Sequence, residues 1–305
     1  YMSFSCIAVE PSSSPQWVRD AVVAGGGEVV DITQATGLVW SAAYSIDALD
    51  ALLLENPHIN WVQLPFAGSE AFMHLVNHDR VWTCGKGVYA EPVAEHALGL
   101  LLAGFRHIGN YARQKSWTGP VGQNLLGASI TILGGGGITA SLVRMLQPFD
   151  CNITVVRLSA EPLEGVNTVV GPESLVDAIV GADAVVVALA LTPDTEGILG
   201  RNEFELMEKH AWVVNVGRGR HIVTDDLVWA LQEGEIGGAA LDVTNPEPLP
   251  NEHPLWSMPN CIITPHIGNT PAMAVPLLSA RIAENVQRYV AGEPLVGCID
   301  PELGY

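Results

Sequence analysis

Basic residues are scarce in this sequence of 305 residues. Lys and Arg number 14 against 33 Asp and Glu, which leaves a formal net charge of −19 at pH 7. An acidic surface repels phosphate backbones and anionic lipid, so we expect neither nucleic-acid nor membrane partners. A small anionic substrate would need a local basic group to hold it.

Cysteine is also scarce, and its positions are scattered. The sequence has an odd number of cysteines and no Cys-x-x-Cys pair. This spacing argues against a disulfide framework and against a zinc site, so we expect reduced thiols and no bound metal. The five residues are Cys6, Cys84, Cys151, Cys261 and Cys298.

Hydrophobic runs are short. The first ten residues, YMSFSCIAVE, lack a basic region followed by a long apolar run, so we expect no secretory signal. The most apolar stretch, residues 94–105, contains Glu95 and His96 and is too short to span a bilayer. Together with the scattered cysteines, these features favour a soluble protein of the cytoplasm.

What the sequence does contain is an alternation of short apolar runs with helical patterns. Such alternation predicts parallel strands joined by crossover helices. The chain is 48% hydrophobic and long for a single core, which favours two domains. Residues 1–90 are typical of one small α/β unit. Residues 129–264 carry six predicted strands in βα order, which suits a doubly wound nucleotide-binding domain.

Two long helical patterns set the predicted domain boundaries. Residues 92–109 carry the chain from the first domain into the second, whereas residues 271–291 have no strand left to join in the second sheet and return to the first. The fold class is therefore α/β, with two doubly wound parallel-sheet domains, one flavodoxin-like and one Rossmann, and a cleft between them. The predicted substrate domain comprises residues 1–95 and 271–305, and the predicted dinucleotide-binding domain comprises residues 96–270.

A glycine-rich turn lies between a predicted strand and a predicted helix in the segment SITILGGGGITASLVRML. Gly134 and Gly136 would leave backbone N–H groups bare for a pyrophosphate, and the helix that starts at Gly137 and Ile138 would add partial positive charge. Thr139 departs from the pattern, since a third glycine normally packs the helix close to the strand there. An ordinary glycine-rich turn is the alternative, but the order of strand, turn and helix favours a dinucleotide site.

The strand after this turn ends without an acidic residue. Rossmann domains usually place an Asp or Glu there, where it binds the ribose hydroxyls of the cofactor. This sequence has Arg157 in the segment ITVVRLS instead. Because a guanidinium can pair with a 2′-phosphate, we expect a preference for NADPH over NADH. The alternative is that Arg157 is only a solvated charge at a strand end.

Three further segments each end a predicted strand: VVNVGRGRHIVTDDL, AALDVTNPEPLP and ITPHIGNT. They supply Arg218, Glu247 and His266 at the strand ends where doubly wound sheets bind ligands. A guanidinium can hold a keto acid, and an imidazole oriented by a carboxylate can protonate the developing alkoxide. Each residue alone could be an ordinary loop residue, but three at successive strand ends favour a catalytic set.

Taken together, these segments resemble the D-isomer-specific 2-hydroxyacid dehydrogenase family. The resemblance covers nearly the whole chain. Besides the glycine turn and the three strand ends, it includes YAEPVAEHALGLLLA, LALTPDTEGIL and HPLW. It departs from the family at Thr244 and Asn245, which replace an aromatic and an acidic residue, and at Ser69 and Glu70, where many members have an apolar residue followed by Asp.

The resemblance implies a role for each matching residue. Arg218 corresponds to the substrate-binding arginine, His266 to the catalytic histidine and Glu247 to the carboxylate paired with it. Ala67 and Gly68, in LPFAGSE, correspond to a loop whose backbone amides bind the substrate carboxylate. Asp242 corresponds to the acid that binds the nicotinamide carboxamide. The full set of expected cofactor contacts is Gly134, Gly136, Gly137, Ile138, Arg157, Thr192, Val216, Gly217, Asp242 and Gly268.

The expected activity is hydride transfer between NADP or NAD and a small 2-keto or 2-hydroxy acid, as in a glyoxylate or hydroxypyruvate reductase. Family members are usually homodimers that pair through the cofactor domain. Two alternatives are a phosphoglycerate dehydrogenase-like enzyme that uses NAD, and a cofactor-sensing interaction protein without catalysis. His96 and His253 are interpreted as structural, and no motif supports a role for His58, His74, His78, His107, His210 or His221.

Overall fold

The computed structural model describes residues 6–42 and 45–302, and the chain divides into two compact units. Unit 1 comprises Tyr1–Tyr89 with Thr270–Tyr305, and unit 2 comprises Ala90–Asn269. The divisions therefore fall at 89/90 and 269/270 rather than at the predicted 95/96 and 270/271. The first difference arises because the helix that begins at Ala90 is continuous and belongs wholly to unit 2.

Twelve strands and nine α-helices lie within the described residues. The strands are β1 (Cys6–Glu10), β2 (Glu28–Val29), β3 (Gly37–Trp40), β4 (Trp61–Gln63), β5 (Val81–Thr83), β6 (Ser129–Leu133), β7 (Asn152–Val156), β8 (Thr168–Val170), β9 (Ala184–Val187), β10 (Trp212–Asn215), β11 (Gly238–Leu241) and β12 (Cys261–Ile263). The helices are α1 (Gln16–Ala24), α2 (Ile46–Glu55), α3 (Ala90–Phe105), α4 (Ile108–Arg113), α5 (Gly137–Leu146), α6 (Leu175–Ile179), α7 (Arg201–Leu206), α8 (Thr224–Glu233) and α9 (Pro271–Ala291).

The described strands of unit 1 form one parallel sheet in the order β2-β1-β3-β4-β5. Flavodoxin-like doubly wound folds have this strand order, so the predicted fold class of this unit is confirmed. Helix α9 packs on α1, where Ile282 and Val286 are buried in the same cluster as Val18 and Val22. The last helix therefore returns to the first unit, as its position after the final strand predicts.

The strands of unit 2 form a parallel sheet in the order β12-β11-β10-β9-β6-β7-β8. This is the order of a Rossmann domain with one further strand at an edge, so the predicted fold class is confirmed here too. The sequence predicts six strands, and the seventh is the three-residue edge strand β8. The order reverses where β6 lies beside β9, and ligands of such sheets bind at the carboxyl ends of the strands near this point.

The central strands of unit 2 are covered on both faces. Every residue of β9, β10 and β11 is buried. Val185 and Val213 pack in a cluster on one face, and Val186 and Val214 pack in a cluster on the other. Burial on both faces explains why these strands are continuous apolar runs instead of alternating patterns. The loops at their carboxyl ends therefore rest on a well-packed core.

The segment predicted as one helix over residues 92–109 forms two helices. Helix α3 ends at Phe105, and α4 begins at Ile108. Between them His107 has a left-handed backbone with a φ of 50°, which a right-handed helix cannot contain. No helix within the described ranges is long and apolar enough to cross a membrane.

Candidate active site

The three candidate catalytic residues follow the carboxyl ends of three neighbouring strands. Arg218 comes after β10, Glu247 after β11 and His266 after β12, and these strands are adjacent in the sheet. The segments after β10 and β11 also contact each other at Gly219. Their backbones approach so closely there that an added Cβ atom would overlap the backbone of Thr244. The fold thus brings together loops that are separated along the sequence.

His266 and Glu247 form a direct side-chain pair. The distance from His266 Nδ1 to Glu247 Oε1 is 2.7 Å. The side chains are 51% and 42% exposed, so both remain accessible to a ligand. With Nδ1 committed to the carboxylate, the other ring nitrogen, Nε2, faces away from Glu247 and can exchange a proton.

The backbone of His266 is held in an unusual conformation. Its φ is 53°, in the left-handed region that residues other than glycine rarely adopt. Its N–H is shared between the carbonyl oxygens of Asp242, at 2.8 Å, and Thr264, at 3.0 Å. The bonds that hold this turn therefore decide where the imidazole points.

Asp242 is the buried anchor of this turn. Its side chain is 4% exposed, and its carboxylate accepts hydrogen bonds from Thr264 Oγ1 at 2.6 Å, Ile267 N at 2.9 Å and Gly268 N at 2.8 Å. Burial alone would raise the pKa of Asp242, but hydrogen bonds from His96, Thr264 and the two backbone amides outweigh it and lower the pKa to about 2. Asp242 is therefore ionised at neutral pH.

The loop that carries Arg218 is fixed by two buried polar side chains. Asn215 accepts a hydrogen bond from Gly217 N at 3.0 Å and donates one to Arg218 O at 2.9 Å. The Nδ1 atom of His221 accepts from Arg218 N at 3.0 Å. Asn215 and His221 are both fully buried. Sequence reasoning assigned neither a role, although their positions within VNVGRGRH offered a signal.

The glycine turn has the shape that a dinucleotide needs. Gly134 has a φ of +111°, and a Cβ atom there would lie 2.5 Å from Ala188 O, so no larger residue fits. A Cβ atom on Gly136, the N-cap of α5, would meet nothing within 4 Å, which leaves open space before the helix. The first N–H groups of a helix have no partner inside it, so a pyrophosphate can bind in this space.

A family comparison identifies the domain that carries this site. The family model described as "D-isomer specific 2-hydroxyacid dehydrogenase, NAD binding domain" matches residues 98–268. The chain belongs to the D-isomer specific 2-hydroxyacid dehydrogenase family. It is therefore an oxidoreductase that transfers a hydride between NAD or NADP and a small 2-hydroxy or 2-keto acid.

Individual relatives agree with this family. Glyoxylate/hydroxypyruvate reductase A of Serratia proteamaculans is 34% identical over 220 residues, which cover 71% of this chain and 69% of that protein. An NADPH-dependent glyoxylate/hydroxypyruvate reductase from Sinorhizobium meliloti, solved with NADP and sulfate, has a TM-score of 0.82 and 25% identity over 99% of this chain and 100% of its own. A family member from Xanthobacter autotrophicus Py2, solved with NADPH and MES, shares the fold with a TM-score of 0.86 at 24% identity, over 99% of this chain and 100% of its own.

Thr139 is the point at which this family member departs from the usual glycine fingerprint. Its side chain is fully buried, and its hydroxyl donates a hydrogen bond of 2.7 Å to Gly134 O. The hydroxyl is thus satisfied within the turn, and the extra atoms fit between helix and strand. The substitution leaves the turn intact, so the departure does not weaken the fit to a dinucleotide.

Arg157 lies against the glycine turn. It directly follows β7, and a Cβ atom on Gly135 would lie 2.6 Å from Arg157 Cδ and 2.9 Å from Nε. The stem of the side chain therefore crosses the turn, and the residue is partly exposed. A basic group stands where dehydrogenases that bind NAD usually have an acid.

The remaining predicted cofactor residues lie at the same edge of the sheet of unit 2. Thr192 follows β9, and its N–H donates to Thr195 Oγ1 at 2.8 Å. Val216 is buried and its N–H donates to Val187 O at 3.1 Å. Gly217 and Gly268 use their N–H groups within the loops, as described above. A Cβ atom on Gly268 would lie 3.0 Å from Asp242 Oδ2, which favours glycine there.

The predicted substrate loop belongs to unit 1. Ala67 and Gly68 follow the carboxyl end of β4, and Cys84 Sγ donates a hydrogen bond to Ala67 O at 3.5 Å. Arg80 precedes β5 and so lies at the opposite, amino edge of that sheet, whereas Lys86 follows β5. Of these two cations, only Lys86 is therefore at the edge that carries the loop.

Proposed function

We propose that this chain reduces small, non-phosphorylated 2-keto acids such as glyoxylate or hydroxypyruvate, with NADPH as the preferred cofactor. The observation that carries the proposal is the 2.7 Å pair between His266 and Glu247 at the strand end next to the Arg218 loop. The names of the relatives from Serratia proteamaculans and Sinorhizobium meliloti support the same substrate class.

In the proposed mechanism the side chains of unit 2 bind the keto acid and supply a proton. A nicotinamide cofactor held at the turn of Gly134 and Gly136 would supply the hydride for the carbonyl carbon. Arg218 holds the carboxylate and carbonyl oxygens through its guanidinium fork. His266 donates its Nε2 proton to the carbonyl oxygen as that oxygen gains charge, which yields the hydroxy acid. Glu247 keeps the ring in this direction through Nδ1.

The preference for NADPH is supported by the position of Arg157. Its side chain lies against Gly135 in the turn that would hold the pyrophosphate. A guanidinium there can form charge-assisted hydrogen bonds with a 2′-phosphate, whereas an acid would repel it. Ala67 and Gly68 stay predicted contacts of the substrate carboxylate.

The direct test is turnover by the purified protein with NADPH or NADH and a panel of keto acids. We expect oxidation of NADPH with glyoxylate and hydroxypyruvate, and a much smaller rate with a phosphorylated hydroxypyruvate. Absence of turnover with every keto acid across the neutral pH range would refute the proposal.

A second histidine provides a matched control for the proton donor. His210 pairs with Asp183 at 2.7 Å, and its side chain is 52% exposed, but it precedes β10 at the amino edge of the same sheet. We expect His266→Gln to lower kcat by about a hundredfold or more, as loss of a general acid does. His210→Gln should leave kcat within about twofold, because it lies away from the strand ends that bind ligands.

We also propose that the chain forms a homodimer through unit 2. Several large apolar side chains of this unit are exposed between residues 106 and 126, namely Ile108, Trp117, Val121 and Leu126, and Trp117 is completely exposed. Exposed apolar groups of this kind often mark protein interfaces. Light scattering coupled to gel filtration tests the proposal. We expect the wild type to be a dimer and Trp117→Ser to shift it toward monomer. A monomeric wild type would contradict the proposal.

The cytoplasmic location remains a proposal supported by the cysteines. None of the five, all of which lie within the described residues, forms a disulfide. Reduced, scattered thiols are typical of a reducing compartment. Fractionation of cells that produce the protein, followed by immunoblotting, would test the location.

A further inference from the structure

Helix α3 contributes a side chain to the turn that holds His266. His96 Nε2 lies 2.9 Å from Thr264 Oγ1 and 3.2 Å from Asp242 Oδ1. His96 is 21% exposed, and Asp242 is 4% exposed. The three residues therefore form a compact, mostly buried cluster inside unit 2, in which Asp242 and Thr264 directly follow β11 and β12.

The direction of each hydrogen bond in this cluster follows from the number of available protons. A hydroxyl has one proton, and Thr264 donates it to the ionised carboxylate of Asp242 at 2.6 Å. The oxygen of Thr264 must therefore accept from His96, which fixes a proton on His96 Nε2. The chain of donation runs from His96 through Thr264 to Asp242, so the histidine supports the carboxylate both directly and through the hydroxyl.

This cluster controls the backbone around His266. The Asp242 carboxylate binds the N–H groups of Ile267 and Gly268, and the Asp242 carbonyl binds the N–H of His266. Three consecutive amides of the turn are thus tied to one residue. Because His266 has a left-handed backbone, a loosened anchor would let it relax toward an ordinary conformation and move its ring.

We propose that His96 is a positioning residue for the proton donor. Its Nε2–H donates to Thr264 and Asp242, and the carboxylate held in this way fixes the turn that orients His266 toward the substrate. The inference rests on the proposed function, in which His266 supplies the proton. It revises the sequence-based interpretation of His96 as merely structural, because the cluster ends on the candidate catalytic turn.

Two substitutions of His96 distinguish the effect of its hydrogen bond from the effect of its side-chain volume. His96→Gln keeps an N–H donor near the position of Nε2, whereas His96→Leu has similar bulk and no donor. We expect His96→Leu to lower kcat about tenfold or more while the KM for the keto acid changes less than about threefold, since small misplacements of reacting groups are costly. His96→Gln should keep kcat within about threefold of the wild type.

Amide hydrogen exchange gives a readout that needs no substrate. The N–H groups of Ile267 and Gly268 bind the Asp242 carboxylate, so their exchange reports how firmly the turn is held. We expect about tenfold faster exchange at both amides in His96→Leu than in the wild type, and near-normal exchange in His96→Gln. Equal exchange in all three proteins would overturn the inference.

Two substitutions of Thr264 provide a second test in case His96→Leu does not fold. Thr264→Val removes the bridging hydroxyl, and Thr264→Ser restores it. We expect the valine variant to show fast exchange at Ile267 and Gly268 and a low kcat, and the serine variant to recover both.

The outcomes distinguish this inference from the proposed function. A wild type without keto-acid turnover would refute the function, while the exchange rates would still decide whether His96 braces the turn. Fast exchange with unchanged kcat in His96→Leu would overturn the positioning role. An equal loss of kcat in His96→Gln and His96→Leu would also overturn it, because the donor would then be irrelevant.

Discussion

At the scale of single residues, Gly219 is where the loop after β10 contacts the segment after β11. A Cβ atom there would overlap the Thr244 backbone, and backbone atoms cannot swing aside as a flexible side chain can. We expect Gly219→Ala to separate the Arg218 loop from the segment that leads to Glu247. The change should lower kcat/KM at least about tenfold and cost about 1–3 kcal/mol of stability.

The control for this substitution is Gly119→Ala, since a Cβ atom on Gly119 would meet nothing within 4 Å. Steady-state kinetics and urea unfolding of both variants would provide the comparison. Wild-type kcat/KM in Gly219→Ala would mean that the two segments are not held together by this contact.

Asp242 provides a prediction about pH. Its pKa is lowered from the ordinary value of 3.8 to about 2, so its ionised form stabilises the folded chain above pH 3.8 and this contribution is lost as the pH falls toward 2. We expect Asp242→Asn to cost about 2 kcal/mol at neutral pH, the free energy that corresponds to this shift. Urea unfolding should give a constant difference between the two proteins above about pH 5, because both pKa values lie below it. A difference that shrinks between pH 8 and 6 would contradict this origin.

Arg157 provides a prediction about cofactor choice. If its guanidinium pairs with the 2′-phosphate, Arg157→Gln removes a charge-assisted contact and should raise the Kd for NADPH by about ten- to a hundredfold. The Kd for NADH should change less than about threefold, because that cofactor lacks the phosphate.

Arg144→Gln is the control for the change in net charge, since Arg144 is 63% exposed and pairs with Glu91. Fluorescence titration of the wild type and both variants with each cofactor measures the dissociation constants. If Arg157→Gln weakened the binding of NADPH and NADH equally, Arg157 would be an ordinary charge at a strand end.

The candidate site could be predicted where function demands distinctive residue types in a short segment. Glycines in a tight turn and an arginine, an acid and a histidine at successive strand ends all stand out in the sequence. His96 did not, because its partner Thr264 is 168 positions away and only the fold brings them together. Thr139 looked like a defect for a similar reason, since its hydrogen bond to Gly134 cannot be deduced from residue type.

At the scale of elements, helix α3 approaches β10 through a glycine. A Cβ atom on Gly104 would lie 2.5 Å from the ring of Trp212, a rigid buried side chain. We expect Gly104→Ala to destabilise the protein by about 1–3 kcal/mol through overpacking.

The same helix supplies the control. Gly99 has nothing within 4 Å of its Cβ position, so Gly99→Ala should be neutral or stabilise by up to about 1 kcal/mol, because alanine favours helix. Thermal or urea unfolding of the two variants tests the pair. Equal effects of the two substitutions would show that helix propensity, not the contact with Trp212, decides the outcome.

The sequence analysis missed strand β8 for a physical reason. This strand is three residues long and lies at a sheet edge, and none of its residues is buried. Three residues are too few to establish a period of two, and edge positions relax the demand for apolar residues. Strands β9, β10 and β11 were predicted because continuous burial leaves a run of apolar residues.

At the scale of the whole molecule, the chain has two bodies with separate cores. The buried clusters around Leu38 and Val22 belong to unit 1, and those around Val213 and Val214 belong to unit 2. Unit 2, which comprises Ala90–Asn269, is the larger of the two. Because larger domains bury a greater fraction of their surface, we expect unit 2 to be the more stable body.

Two buried cysteines can report on the two units separately. Burial raises the pKa of the Cys84 thiol in unit 1 and raises the pKa of Cys261 in unit 2 to about 12. Both thiols should therefore resist alkylation at neutral pH until their unit opens, whereas the exposed Cys298 should react at once.

The experiment uses the Cys298→Ser variant, which lacks the exposed thiol. Mass spectrometry would measure the alkylation of Cys84 and Cys261 at increasing urea concentrations. We expect Cys84 to become reactive at a lower urea concentration than Cys261, because each unit is held by its own core. Coincident midpoints would show instead that the two units unfold as one cooperative body.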